Sequence, residues 1–264
     1  MRIAVSGSTS SIGTHLVNSL IAAGHEVIPL GGQSSQLWKI GMKFPDFLEV
    51  DVLMHLAHDR SLTLRENVQA MEVLTSSFQG EIIFLSSMSA HSGARSVYGK
   101  SKYELERLFL KHGGKVLRAG LVYGSNLGGM YAILSKISKL SPIIPMPYSG
   151  TPKMYTTHID DLCDELIGLI TRKERGIVFG AHCWPITLEN LLRSIRKQTS
   201  PQSFLILIPI PRIILEIIRR GLSPFKLRLS LIDSLGSLST QISSTEISSL
   251  VPPLKDFRNY KENL

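Results

Sequence analysis

Cysteine is nearly absent from this chain. Of 264 residues only Cys163 and Cys183 carry thiols. Both stand in apolar contexts without metal-ligand spacing, so they read as free buried thiols suited to a reducing cytoplasm. Long hydrophobic runs are missing too. The most apolar stretch, Phe204 to Pro211, is short, holds two prolines and runs into Arg212, which excludes a spanning helix of about 20 apolar residues. No signal peptide is expected, because Met1 to Val5 reads as a strand running into a glycine turn. Acids are outnumbered, 21 against 29 bases, for a formal net charge of +8. That surplus suits an anionic ligand, mere solubility or a membrane-surface contact. The bases are scattered except near Arg172-Lys173-Arg175 and from Arg212 to Arg228. Aromatic residues do not interleave with them, which argues against nucleic acid. What remains is 43% hydrophobic composition, enough to build one large domain or a domain with a smaller lobe. No internal repeat is visible.

Strand and helix patterns alternate along the first two thirds. Arg2 to Ser6 predicts a buried strand. Ile12, Leu16, Val17, Leu20 and Ile21 recur with helical period, and Gly24 stops that helix. Strands are expected at Glu26–Leu30, Leu37–Ile40, Asp51–Ala57, Glu81–Ser86 and Lys115–Arg118, with helices over Leu64–Phe78 and Ser96–His112. Asp51–Ala57 is apolar on both faces, as a sheet covered by helices requires. This order implies an α/β fold, a Rossmann-type doubly wound parallel sheet with a small C-terminal substrate-binding lobe. Residues 1–124 form the expected dinucleotide-binding part, with 153–180 returning to the sheet. Residues 125–152 and 181–264 form the smaller lobe. There, helices are expected at Met130–Leu140, Ile159–Arg172 and Thr187–Gln198, and strands at Gly176–Gly180 and Phe204–Ile208. Ser141–Pro152 is expected to be a proline-rich loop, Ile213–Arg220 an amphipathic helix, and the segment from Ser223 has no assigned order.

The turn after the first strand reads Ser6-Gly7-Ser8-Thr9-Ser10-Ser11-Ile12-Gly13. Gly7 permits the tight turn and Gly13 lets the helix pack closely on the sheet. N–H groups at the helix start, with the helix dipole, favour a pyrophosphate. Thr9, Ser10, Ser11 and Ile12 are the remaining cofactor-binding candidates in this turn. A middle glycine is lacking. Ser10 stands there, and its hydroxyl can itself donate to phosphate. Also lacking, after Pro29-Leu30-Gly31-Gly32, is the acid that would hold a free ribose hydroxyl or an arginine that would hold a 2′-phosphate. Gln33, Ser34 and Ser35 can hydrogen-bond a 2′-phosphate, which tilts the NAD(P) choice toward NADP.

Further on, Ser96-Val97-Tyr98-Gly99-Lys100-Ser101-Lys102 sets a tyrosine and a lysine four residues apart on one helix face. A lysine cation at that spacing favours the phenolate and lowers a tyrosine pKa from about 10. Such a tyrosine can exchange a proton with a sugar or alcohol oxygen. The spacing alone is common on solvated helices. Here it follows a serine-rich strand end, Phe84-Leu85-Ser86-Ser87-Met88-Ser89, in a chain that opens with a glycine loop.

With SGSTSSIG, DVLMHLAHD, Asn67, FLSSMSA, YGKSK, LRAGLVYG and THIDDL in this order, the chain resembles the extended short-chain dehydrogenase/reductases, within the NAD-dependent epimerase/dehydratase group acting on nucleotide sugars. The match runs from Met1 to about Gly180. The resemblance implies that Ser87 hydrogen-bonds the reacting oxygen, with Ser86 and Ser89 as rivals. Tyr98 is then the general acid/base, and Lys102 holds the nicotinamide ribose. Leu56 and Ala57 lie against the cofactor, Tyr123 flanks its nicotinamide end, and Asn67 supports the site. Ser89, Asn126 and Lys153 are candidate substrate contacts, Lys153 toward a diphosphate. His158 to Asp161 start a helix framing the lobe. No metal is expected, and His55 and His58 read as strand and loop packing. The family's 4,6-dehydratases carry an acidic pair after the Ser/Thr. Met88 and Ser89 stand there instead, which argues against elimination of water. The implied activity is a nucleotide-sugar epimerase or a keto-sugar reductase, with homodimers through the helices 64–78 and 96–112. Two alternatives differ in kind. One is a non-catalytic NAD(P)-binding sensor or scaffold. The other is a weak membrane or lipid-linked-glycan contact through Phe204–Arg220.

Overall fold

In the computed structural model, residues 1–31, 37–59, 61–94, 96–147, 153–199 and 204–210 are described. The alternating apolar runs become β1 (Arg2–Ser6), β2 (Glu26–Leu30), β3 (Val52–His55), β4 (Glu81–Ser87), β5 (Lys115–Ala119) and, after four further strands and two helices, β10 (Gly176–Gly180). They form one six-stranded sheet in the order β10-β5-β4-β3-β1-β2, and every pairing is parallel. The expected doubly wound α/β architecture is the one observed. From β1 the chain moves outward to β2, then returns to lay β3 on the other side of β1. The strand order reverses at that point, and a crevice opens beyond the carboxyl ends of β1 and β3.

The first three helices start where the sequence supplies an oxygen. Ser10 caps α1 (Ser11–Ala22) by accepting from the Gly13 N–H. Thr63 and Glu66 form a reciprocal capping box at α2 (Leu64–Ser77), and Ser96 caps α3 (Val97–Lys111). On one face of the sheet α1 packs with α5 (Ile159–Thr171), burying Leu16, Leu20, Leu162 and Leu166 against Ile3, Val5 and Ile83. On the other face α2 and α3 bury Met71, Leu74, Leu105 and Phe109 against Leu53, Phe84 and Val116. A buried Arg118 on β5 clamps Glu106 of α3 with two hydrogen bonds of 2.9 and 2.8 Å. The helix carrying Tyr98 and Lys102 is thereby fixed in register against the sheet. Removing either partner would strand a buried charge.

A third apolar cluster lies outside the sheet. It joins β6 (Leu121–Tyr123), α4 (Gly129–Leu140), β7 (Ile143–Pro147), β8 (Lys153–Met154), β11 (Ile186–Thr187) and α6 (Leu188–Thr199) around Tyr131, Leu134, Met154 and Leu191. Between them β9 (Thr156–His158) pairs in parallel with β6. Two expectations fail here. Residues 37–40 are not a strand, so the sheet ends at β2. Trp38 turns into the core instead, donating its indole N–H to the Met42 carbonyl at 3.0 Å. The expected loop 141–152 contains β7, which pairs in parallel with β12 (Ile206–Ile210). Its prolines are tolerated because the ribbon has only two strands and each has an open edge. Gln33, Ser34, the segment 213–220 and everything from Ser223 lie outside the described residues. Among the described residues no helix is long and apolar enough to cross a membrane.

Beneath the crevice, fully buried His55 joins its Nδ1 to the Ser6 hydroxyl at 2.8 Å. That oxygen also accepts from the Leu56 and Ala57 N–H groups, so the serine proton goes to Nδ1 and the imidazole carries its own on Nε2. Burial, then the charges of Lys102 and His58, push the His55 pKa down to about 3. The folded chain therefore keeps this ring neutral where the unfolded chain, titrating near 6.5, takes up a proton. Its stability contribution is complete above about pH 6.5 and is lost as pH falls below that. Between about pH 7.5 and 5.5 this ring alone should remove about 1.4 kcal/mol. Urea unfolding of His55→Phe, which keeps a ring against Phe84 and Phe109, should lack that increment. Equal pH slopes in the two proteins would refute it.

Candidate active site

The crevice is a cleft of about 790 Å³ lined by the glycine loop, the ends of β3 and β4, and the first turns of α3. That volume is within the range of cofactor sites. Gly7, Thr9, Ser10 and Ile12 line it from the glycine loop. Gly7 has φ 72°, and a Cβ there would lie 3.0 Å from the Ala57 amide nitrogen. A Cβ on Gly13 would sit 2.8 Å from Ser8 Cα and closer still to the Gly7 carbonyl oxygen. These two glycines let the loop press against both α1 and the end of β3. The Ser10 oxygen accepts from Gly13 N at 3.0 Å, and its O–H proton remains to donate. No acidic residue stands in the first turn of α1, so nothing there repels an anion. Leu56 and Ala57 line the cleft as expected. Gly13 and Ser11 do not line it. Ser11 ties the loop outward by accepting from the Gly128 N–H at 3.0 Å.

Ser87, Tyr98 and Lys102 all face this same cleft. Their convergence follows from β4 ending where α3 begins, with Ser96 capping the helix. The Ser87 oxygen accepts from the Ser89 amide and hydroxyl, at 3.3 and 3.0 Å. Ser89 is thus a buried support for Ser87 and does not line the cleft. Ser86 lines it, with a buried hydroxyl oxygen that has no partner. Lys102 is buried. Its ammonium donates to the Leu85 carbonyl at 2.8 Å, lies 4.4 Å from the Phe84 ring centre and 6.0 Å from that of Tyr98. The carbonyl fixes the cation at the strand end, beneath the phenol.

Other candidates are placed elsewhere. Tyr123 is buried in the third cluster, its hydroxyl 2.9 Å from His182 Nε2 and its ring against His158. It does not line the cleft, since β6 turns it away while its neighbour Val122 faces in. Asn126 is exposed in the loop after β6, in the left-handed region at φ 58°. Lys153 is exposed at the start of β8. Asn67 braces the cleft wall from behind, donating to the carbonyls of Asp59, Leu62 and Thr63. His158 caps α5, and Asp160 and Asp161 fill its first turn, where the helix dipole favours them.

Four lining residues with polar or charged side chains escape sequence reasoning. Trp38 and Lys39 reach the cleft from the loop after β2, and His58 and Asp59 from the loop after β3. Nothing local marks Lys39. For His58 a signal existed, since it directly follows the Leu56-Ala57 pair. Its imidazole meets the Tyr98 ring edge to face, centroids 5.2 Å apart. The packing expected of His58 is therefore against the phenol. Asp59 is bonded by the Ser61 hydroxyl and amide, which hold its carboxyl below the usual range. Among the described residues no group of three potential ligands could hold a metal.

No family model and no curated protein matches the chain. Solved structures do. An NAD-dependent NDP-hexosamine 5,6-dehydratase, TunA, of tunicamycin biosynthesis superposes with a TM-score of 0.64 at 18% identity, over 91% of this chain and 98% of that one. The UDP-glucose 4-epimerase of Thermotoga maritima, solved with UDP-glucose, gives 0.63 at 17%, over 90% and 98%. A dTDP-4-dehydrorhamnose reductase from Clostridium acetobutylicum gives 0.65 at 16%, over 80% and 84%. The chain shares the fold of these enzymes. Their reactions differ from one another, so the shared fold leaves the chemistry to the residues in the cleft.

Proposed function

We propose that the protein is an NAD(P)-dependent enzyme of the extended short-chain dehydrogenase/reductase type, acting on a nucleotide-linked sugar as an epimerase or a keto-sugar reductase. The observation carrying this reading is the meeting of Ser87, Tyr98 and Lys102 in the cleft that the glycine loop opens. The lining fits a dinucleotide. Backbone closes on Gly7 where a Cβ would be crowded, α1 offers its positive end, and the cations Lys39 and Lys102 outnumber the acid Asp59. Gly7, Thr9, Ser10 and Ile12 would hold the phosphates, with Leu56 and Ala57 against the rings. A bound nicotinamide supplies hydride acceptance and donation. Ser87 then hydrogen-bonds the sugar oxygen, its own orientation set by Ser89. Tyr98 takes that oxygen's proton during oxidation and returns one during reduction, and the Lys102 ammonium attracts the negative charge the phenol acquires. Met88 and Ser89 offer no carboxylate, so the chain's own residues do not support dehydration. The lobe around the third cluster is assigned to the sugar nucleotide. Incubation of the protein with NAD(P) or NAD(P)H and a panel of nucleotide sugars should yield an epimer or a reduced sugar. No product from any member would overturn the reading.

The cofactor assigned is NADP. Gly31 offers no carboxylate for a free ribose, and exposed Lys39 lines the same cleft. Lys39→Glu should weaken NADP binding relative to NAD by roughly tenfold to a hundredfold, the scale of one charge-assisted bond. Calorimetric titration with both dinucleotides measures this, and an unchanged ratio would remove Lys39 from that role.

A further inference from the structure

His58 touches the group on which the proposed chemistry turns. Its ring stands at 82° to the Tyr98 ring, and both line the cleft. Other charges surround the pair. Lys102 approaches from α3, anchored on the Leu85 carbonyl. Asp59 follows in the same loop and is bonded to Ser61. His55 lies below on β3 and is kept neutral by burial. Lys39 lines the cleft from the loop after β2. An imidazole bordering a cleft is the kind of group that changes charge there.

We infer that His58 is a positioning residue for Tyr98, whose edge fixes the phenol ring and whose charge state tunes that phenol's readiness to part with its proton. This rests on the assignment of Tyr98 as the proton-transfer group. Two consequences follow from the geometry. The edge-to-face contact restricts rotation of the ring about its side-chain bonds, so the hydroxyl is presented to one place in the cleft. An imidazolium at this distance adds a second cation to that of Lys102, and both favour the phenolate. As pH rises and His58 loses its proton, only Lys102 remains. The phenolate and the imidazolium therefore stabilise each other, and each should shift the other's titration.

Two variants separate position from charge. His58→Phe keeps a ring against Tyr98 and cannot ionise. His58→Ala loses both. In His58→Phe the kcat–pH profile should lose the ionisation that His58 contributes. In His58→Ala, kcat should fall about tenfold with KM little changed, the scale of a misplaced acid/base group. A His58→Phe profile superposable on the wild type would overturn the inference. A second measurement needs no turnover. Histidine NMR titration of wild type and Tyr98→Phe, with His58 assigned by its loss in His58→Phe, should show the His58 midpoint moving between the two proteins. Identical midpoints would overturn the coupling. If the wild type converts no nucleotide sugar while the midpoints differ, the parent reading has failed and the coupling stands.

Discussion

Tyr98→Phe should eliminate turnover of any nucleotide sugar the wild type accepts, by about a hundredfold to ten-thousandfold, while dinucleotide affinity stays within about threefold. The substitution removes one oxygen and leaves the ring. Half-buried Tyr98 keeps its edge-to-face contact with His58, and Lys102 keeps its bond to the Leu85 carbonyl at 2.8 Å. Neither the glycine loop nor Leu56 and Ala57 depends on the phenol oxygen. A loss confined to kcat is what removal of a proton-transfer group predicts, and loss of a structural residue would also alter binding. Product formation and fluorescence titration of the reduced dinucleotide decide between them. Equal product from both proteins would remove Tyr98 from the proton-transfer role.

Gly13→Ala should damage both the fold and cofactor binding. The added carbon would meet the Gly7 carbonyl, Gly7 C at 2.9 Å and Ser8 Cα at 2.8 Å. All three are backbone atoms, so no rotamer change relieves the clash. Either α1 lifts from the sheet or the loop shifts into the cleft. Helix displacement disturbs Leu16 and Leu20, which are fully buried, and overpacking of this kind costs about 3 kcal/mol. Loop displacement closes the phosphate end, because Gly7 already lies against Ala57. The expected result is a clear drop in melting temperature together with a dinucleotide affinity weakened at least about a hundredfold, the scale of two or more lost phosphate bonds. Wild-type melting and affinity would show that the loop has slack the geometry denies.

Legibility followed element length and locality. β1 and β4 are mostly apolar runs, α1 and α3 carry a helical period between a serine cap and a glycine stop, and each is visible without its neighbours. β6, β8, β9 and β11 span two or three residues, too few to show any period. Residues 37–40 carry two large apolar side chains and an isoleucine, which resemble a strand. The outcome was decided by the pocket that accepts Trp38. Residues 141–147 resembled a loop because prolines usually break sheets. They form a strand because β12, some sixty residues away, presents a free edge to pair with. Tyr123 followed the motif into the expected cleft by position, but the strand's alternation and the His182 imidazole hold it on the far side.

The chain alone determined the alternation of strand and helix, the glycine turn at Gly7 and Gly13, and the helix that carries Tyr98 and Lys102, because each depends on spacing within about a dozen consecutive residues. Tertiary structure alone decided which cations and rings share the cleft. Lys39 and His58 enter it through loops whose paths are set by the core beneath Trp38 and His55. No local pattern encodes such a path, since it depends on contacts between residues far apart in the chain.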